Sequence, residues 1–400
     1  MNILFLTMSG IKNINDHSLY NDLMREFIKH DHKVYIVAPV EKRLNEETNI
    51  LNTKNYSLLR IKVGNMQKCN LIEKGISMIL FEGQFLKAIK KYFANVKFDL
   101  VMYSTPPITF AKVVDYIKKR DGSTTYLLLK DIFPQNAVDL GMFSKTSPIY
   151  KYFRHKEKQL YKQSDYIGCM SQANVDYLIE HNTYVDKAKV HVSPNSIEVL
   201  DKSKNGARKV ELREKYNIPQ DATVFIYGGN LGKPQGIPFI IECLKANAHN
   251  KDRFFVISGA GTEYGKLKAY VDEGKPGNVL LINGLPKTEY EDLVAACDVG
   301  LIFLDHRFTI PNFPSRLLSY MQNGMPVLAC TDPNTDIGKV ITDGGFGWWC
   351  ESDDAERFTK LVDDIVSDNI VPMSDNALNY LKQSYSVEKS YDIIMERVEL

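Results

Sequence analysis

The sequence predicts an α/β protein of two doubly wound domains, each a parallel sheet covered by helices. Three observations predict it. Apolar runs of about five to seven residues alternate with amphipathic stretches along all 400 residues. The runs are not broken by polar residues: Thr125-Tyr126-Leu127-Leu128-Leu129 and Val299-Gly300-Leu301-Ile302-Phe303-Leu304 read as strands buried on both faces. The alternation restarts after a polar, glycine-containing stretch near the middle, and 400 residues exceed what one compact core holds.

In the first domain, residues 1–200, strands are expected at 3–8, 33–38, 58–63, 99–104, 124–130, 166–170 and 189–193. Between the first two lies a helix with Leu19, Leu23 and Phe27 on one face, ended by His30-Asp31-His32. The break falls near 196–215, where Ser196-Ile197-Glu198 leads into the linker Lys202-Ser203-Lys204-Asn205-Gly206-Ala207-Arg208-Lys209. In the second domain, residues 201–384, strands are expected at 223–228, 253–258, 279–283, 299–304 and 325–330. Residues 385–400 form a last piece, whose helix at about 388–399 is expected to cross back onto the first domain. Two such domains facing each other leave a cleft at the carboxyl ends of their strands, where ligands bind.

Composition excludes several classes. With 44% apolar and 25% charged residues the chain is globular, not disordered. No apolar run reaches the ~18–20 residues that span a bilayer. The opening Met1-Asn2-Ile3-Leu4-Phe5-Leu6 reads as a strand and lacks the basic leader of a signal peptide, so a cytoplasmic protein is expected. The six cysteines are scattered without Cys-x-x-Cys, which argues against a zinc site or a disulfide framework. No Lys/Arg cluster is interleaved with aromatics, so nucleic acid is not an expected partner. Charge is uneven: residues 1–200 hold 28 Lys/Arg against 20 Asp/Glu, and the rest 22 against 29. A basic first half suits an anionic membrane or a phosphorylated acceptor, or is ordinary surface charge. The stretch from Cys69 to Phe93 mixes apolar residues with lysines; it either packs in the domain or makes peripheral contact with a membrane.

Two segments carry chemistry. Tyr227-Gly228-Gly229-Asn230-Leu231-Gly232-Lys233-Pro234-Gln235-Gly236-Ile237 ends a buried strand in glycines and opens a helix. Glycines let a ligand approach the backbone, and a helix N-terminus offers N–H groups to an anion; the plain alternative is a tight turn. Phe313-Pro314-Ser315-Arg316-Leu317-Leu318-Ser319-Tyr320-Met321 opens another helix, with Pro314 suited to its first turn and Leu317, Leu318 and Met321 on the buried face. Arg316 there opposes the helix dipole by a few tenths of a kcal/mol, a sign that a bound anion reverses. Arg316 with free backbone amides makes a diphosphate clamp; otherwise it is a surface arginine lying over Tyr320. Two further strands end in Gly259-Ala260-Gly261 and Asn283-Gly284-Leu285-Pro286, at the same cleft edge.

The order Gly-Gly-Asn-Leu-Gly-x-x-Gln-Gly, Gly-x-Gly, then Pro-Ser-Arg-Leu-x-x-Tyr-Met-x-x-Gly-x-Pro resembles family four of the retaining glycosyltransferases, of GT-B fold. It looks closest to the bacterial branch that builds O-antigen and capsule repeat units, N-acetylfucosamine transferases among them. Lys130-Asp131-Ile132-Phe133-Pro134 is similar to that branch's Asp-x-x-Pro segment. The resemblance implies a UDP-sugar donor held by Gly229, Asn230, Lys233, Gln235, Gly259, Gly261, Leu285, Pro314, Ser315, Arg316, Leu317 and Ser319. It implies no metal and no cofactor, and as acceptor a saccharide linked to a polyprenyl diphosphate lipid. Asp353-Asp354 and Asp363-Asp364 fall in expected helices and make no Asp-x-Asp site.

The sequence departs from the family pattern at several points. Asn230 and Gln235 stand where many members carry Arg and Lys, with Lys233 able to supply one missing charge. Pro311 and Ser319 stand where the family has a spaced pair of glutamates, which weakens the usual hexose and ribose contacts. The acceptor-side loop after the first strand, with Ser9, Gly10 and Lys12, lacks the usual paired glycines. His17 and Asp131 are the candidates to orient the acceptor hydroxyl or shield the cationic transition state; capping is the plain alternative for each. Two rival functions remain open at this point: a nucleotide-sugar epimerase of the same fold, and a non-catalytic sugar-nucleotide-binding assembly protein.

Overall fold

The computed structural model describes residues 1–202 and 208–399; linker residues 203–207 lie outside the described residues. Two compact units form, Met1–Glu198 with Val387–Leu400, and Val199–Ser386.

The first unit carries strands β1 (Asn2–Leu6), β2 (Lys33–Glu41), β3 (Asn49–Asn52), β4 (Tyr56–Val63), β5 (Leu100–Ser104), β6 (Thr124–Leu129), β7 (Tyr166–Cys169) and β8 (Val190–Val192). Its helices are α1 (Leu19–Lys29), α2 (Leu71–Tyr92), α3 (Ala111–Asp121), α4 (Gln135–Asp139), α5 (Pro148–Gln163) and α6 (Gln172–His181). The strands run β3-β4-β2-β1-β5-β6-β7-β8, parallel except for β3, which pairs antiparallel with β4 at the edge.

The second unit holds α7 (Lys209–Lys215), β9 (Thr223–Gly228), α8 (Ile237–Ala246), β10 (Arg253–Ser258), α9 (Tyr264–Gly274), β11 (Val279–Ile282), α10 (Lys287–Ala295) and β12 (Val299–Phe303). There follow α11 (Arg316–Gln322), β13 (Val327–Thr331), α12 (Ile337–Asp343), β14 (Gly347–Glu351), α13 (Ala355–Ser367) and α14 (Val371–Ser384). The sheet order β11-β10-β9-β12-β13-β14 reverses between β9 and β12, so the ligand crevice of such a sheet lies where those two strands end.

The last helix, α15 (Val387–Val398), packs on α1 in the first unit. Ile394 and Met395 join Met24 and Phe27 in one core cluster, and Tyr391 stacks on His30 with centroids 4.0 Å apart. Ser18 caps α1 by accepting from the Asn21 amide.

Several expectations change. Strands β3 and β14 escape the sequence pattern: β3 is four mostly exposed residues, and β14 begins in glycine and ends in Glu351. The expected break at 196–215 contains a helix, α7, whose Arg213 is buried and bonds Asp298 at 2.6 Å and the Ala296 carbonyl at 3.0 Å. Asp353 and Asp354 precede α13, with Asp354 capping it from the Arg357 amide at 2.8 Å. All six cysteines are unbridged and five are buried. Among the described residues no helix is long and apolar enough to cross a membrane.

Candidate functional site

In the second unit the loops after β9, β10 and β11 lie side by side. The Gly229 amide donates to the Ser258 carbonyl at 2.9 Å, Leu231 to Ala260 at 3.0 Å and Gly259 to Ile282 at 2.9 Å. This contact sets the glycines. A Cβ on Gly259 would lie 1.8 Å from the Gly229 carbonyl oxygen, and one on Gly261 2.3 Å from that of Leu231. Both therefore serve loop packing. Gly229 has φ 139°, a conformation side chains avoid. Asn230 and Gln235 are spent on each other: the Gln235 Oε1 accepts from Asn230 Nδ2 at 3.0 Å and from the Gly232 amide at 3.2 Å. Lys233 is exposed and lines a cavity of about 540 Å³ together with Asp305, Arg307 and Glu263. Leu285, half-buried, follows Gly284 at the end of the edge strand β11.

The second segment meets the first at the crevice. β9 and β12 pair only at Phe225–Val299 and Ile226–Gly300, then part. The Tyr320 hydroxyl fills the gap, donating toward the carbonyls of Ile226 at 3.0 Å and Leu301 at 3.3 Å. Beside it the Arg316 guanidinium lies 4.2 Å from the Tyr227 ring centroid. Its Nη1 is buried without a hydrogen-bond partner, and its Nη2 sits 2.7 Å from where a Cβ on Gly229 would be. The tyrosine face stabilises the cation by about 0.5–2 kcal/mol. A buried donor left unpaired costs about 1–3 kcal/mol, which an incoming anion would recover.

Other parts of this segment differ from the reading above. Pro314 precedes the N-cap Ser315 and so lies outside the first turn of α11. The amides of Leu317 and Leu318 are taken by the carbonyls of Pro314 and Ser315, at 3.2 and 3.1 Å, so they are not free donors. Leu317 is fully buried in the core, and its side chain cannot reach a ligand. Ser319 is half-buried one turn on, its carbonyl accepting from Asn323 Nδ2 at 2.9 Å. The sequence placed Arg316 over Tyr320 as the alternative to a clamp but missed Tyr227 and Tyr290, which complete the tyrosine bed from β9 and α10.

In the first unit, Asp131 follows the carboxyl end of β6. Its Oδ1 accepts from Asn136 Nδ2 at 2.8 Å, and the Thr105 hydroxyl oxygen takes the amides of Lys130 and Asp131 at 2.9 and 3.1 Å. Burial pushes the Asp131 carboxyl up to about 6, against the pull of the Asn136 and Ile132 hydrogen bonds. Next to it Lys130, also missed, donates to the Ser193 carbonyl at 3.0 Å, and burial brings its ammonium down to about 7.

The loop after β1 is held from α1. Arg25 reaches the Ile14 carbonyl at 2.6 Å, and Asn21 the carbonyls of Asn13 and Asp16 at 3.0 and 2.8 Å. Ser9, Gly10 and Lys12 are exposed on that loop, Lys12 3.9 Å from Glu46. His17, half-exposed, is 3.2 Å from Arg25, 3.5 Å from Asp22 and 3.6 Å from Glu198. His17, Asp22 and Glu198 could together ligate a metal, but the Arg25 guanidinium already stands among them, 2.7 Å from Asp22 and 2.8 Å from Glu198.

Residues 208–384 match the family Glycosyl transferases group 1. The chain is 25% identical over 323 residues to the probable glycosyltransferase WbjE of Pseudomonas aeruginosa, covering 80% of this chain and 78% of the relative. In fold it is similar to sucrose-phosphate synthase of Thermosynechococcus elongatus (TM-score 0.75, 15% identity, 99% of this chain and 98% of that one). It is also similar to HepE of Anabaena, solved in complex with UDP (TM-score 0.68, 16% identity, all of both chains). The fold is GT-B, with a Rossmann-like sheet in each unit.

Proposed function

We propose that this chain, a glycosyltransferase by its matched domain and its relatives, takes its sugar from a UDP-sugar and passes it with retained configuration to a lipid-linked saccharide in capsule or O-antigen assembly. The observation that carries the donor half is Arg316, a cation held on Tyr227 at the crevice with Nη1 unpaired, against the glycine backbone at Gly229. A planar donor there suits a diphosphate, and HepE, of the same fold, was solved with UDP. As the bond to the sugar breaks, negative charge grows on the leaving phosphate; the Arg316 guanidinium, set against the glycine backbone at Gly229, neutralises it without a divalent ion. In a same-face displacement that phosphate takes the acceptor hydroxyl's proton. Asp131 orients the hydroxyl or shields the cationic sugar, and His17 holds the acceptor-side loop. The sugar is a hexose type, an N-acetylated deoxyhexose in the branch this sequence resembles.

The test is incubation with a panel of UDP-sugars and extracted lipid acceptor, with and without EDTA, followed by UDP release and glycan length. Release of UDP with a longer glycan, unaffected by EDTA, is expected. Conversion of the donor with no acceptor present would instead favour an epimerase, and UDP binding without turnover a non-catalytic binder. Loss of turnover in EDTA would overturn the metal-free mechanism.

A further inference from the structure

Helix α2 is apolar on two opposite faces. Phe81, Phe85 and Ile89 point into the core, as the inward stripe of a surface helix does. On the outer face Ile76, Ile79 and Leu80 are 55, 66 and 53% exposed, and Lys87, Lys90 and Lys91 continue that face toward the C-terminus. The helix has two acidic residues, and each is held by neighbouring side chains. Glu73 accepts from Asn65 Nδ2 at 2.7 Å, and buried Glu82 binds Lys156 Nζ at 3.0 Å and the Lys112 amide at 2.7 Å.

Helix α5 repeats the arrangement. Ile149 and Tyr152 are more than two-fifths exposed, with Lys151, His155 and Lys158 exposed beside them. Its single acid, Glu157, is buried, bound by Arg154 and by the Tyr161 hydroxyl at 2.8 Å. The Glu82–Lys156 pair clamps the two helices. Ile79 lies three residues before Glu82 and Tyr152 four before Lys156, so these two exposed groups are about one turn from the clamp. α2 follows β4, and α5 follows β6 by way of α4; both strands end at the carboxyl edge of the sheet, the edge that carries Asp131.

Exposed aliphatic side chains set among lysines, with each acid of the two helices held by a neighbouring side chain, match one kind of surface. A second copy of this face would set lysines against lysines. A bilayer with anionic headgroups takes the apolar groups into its boundary and the ammonium groups onto its phosphates. We propose that the exposed faces of α2 and α5 seat the protein on an anionic lipid bilayer. This deepens the lipid-linked acceptor reading, since it places the acceptor-handling edge at the surface where such a lipid resides.

Flotation of the purified protein with vesicles tests the docking without donor or acceptor. Binding to phosphatidylcholine vesicles containing phosphatidylglycerol, and not to phosphatidylcholine alone, is expected. Lys87→Ala and Lys151→Ala should each weaken it about fivefold, and Ile79→Glu with Leu80→Glu by more than about tenfold. The substituted side chains are exposed, so circular dichroism should be unchanged. No binding to the anionic vesicles, or equal binding by all variants, overturns the proposal. So does a dimer in light scattering that Ile79→Glu dissociates, because the occupant is then a second copy. Turnover with a detergent-soluble acceptor should be the same in the Ile79→Glu/Leu80→Glu protein and the original. Docking without any turnover would leave this inference standing and defeat the transferase reading alone.

Discussion

Replacing Arg316 with Met separates a ligand-binding role from a structural one, because the two give opposite results. The aliphatic chain of Met keeps contact with the Tyr227 ring and removes the charge. Without ligand, the substitution forfeits a cation–π contact of about 0.5–2 kcal/mol. It also relieves the unpaired buried Nη1, a burden of about 1–3 kcal/mol. These nearly cancel, so the melting temperature should move by less than about 4 °C. With UDP, one charge-assisted hydrogen bond is lost, about 1.5–3 kcal/mol, or roughly 10- to 150-fold in affinity. Calorimetric titration of UDP and a thermal melt of the same sample read both numbers. Unchanged UDP affinity with a melt lowered by more than about 6 °C would refute the reasoning, since Arg316 would then be holding up the fold.

Three further outcomes follow from the geometry. Gly259→Ala places a methyl 1.8 Å from the Gly229 carbonyl oxygen, so the loops must separate; urea unfolding should show a loss above about 2 kcal/mol, with weakened UDP binding. Tyr320→Phe leaves the carbonyls of Ile226 and Leu301 without their shared donor and should cost about 1–3 kcal/mol in the same assay. If ionised Asp131 serves the transfer, kcat/KM should rise with pH through a midpoint near 6, and Asp131→Asn should abolish that limb. Because burial raises this carboxyl above its unfolded value of 3.8, its contribution to stability is complete below that value and lost as pH climbs to about 6; Asp131→Asn should flatten that fall in a pH series of melts.

The parallel strands were readable because burial on both faces leaves uninterrupted apolar runs, as in β6 and β12. β3 and β14 sit at sheet edges, where half-exposure permits Asn49, Asn52 and Glu351 and dissolves the pattern. At the site, sequence pointed to the glycines but could not give their reason. That Gly259 meets Gly229, and Gly261 meets Leu231, depends on two loops from neighbouring strands. At Leu317 the helical spacing, which puts it on the buried face, outweighs its place in a ligand-binding signature: its side chain is in the core. The unpaired nitrogen of Arg316 and the buried ammonium of Lys130 arise from long-range packing, which spacing along the chain does not encode.

The return of α15 to the first unit also fixes an order of events on the ribosome. Met24 and Phe27 are translated early, yet their neighbours Ile394 and Met395 emerge only after the whole second unit. While the second unit is being made the nascent amino-terminal half therefore exposes a greasy seam that α15 closes, whereas the second unit can mature on its own contiguous segment. A premature stop just before Val387 would release a polypeptide with its second sheet intact and its first permanently unsealed, a ready target for chaperones and proteases.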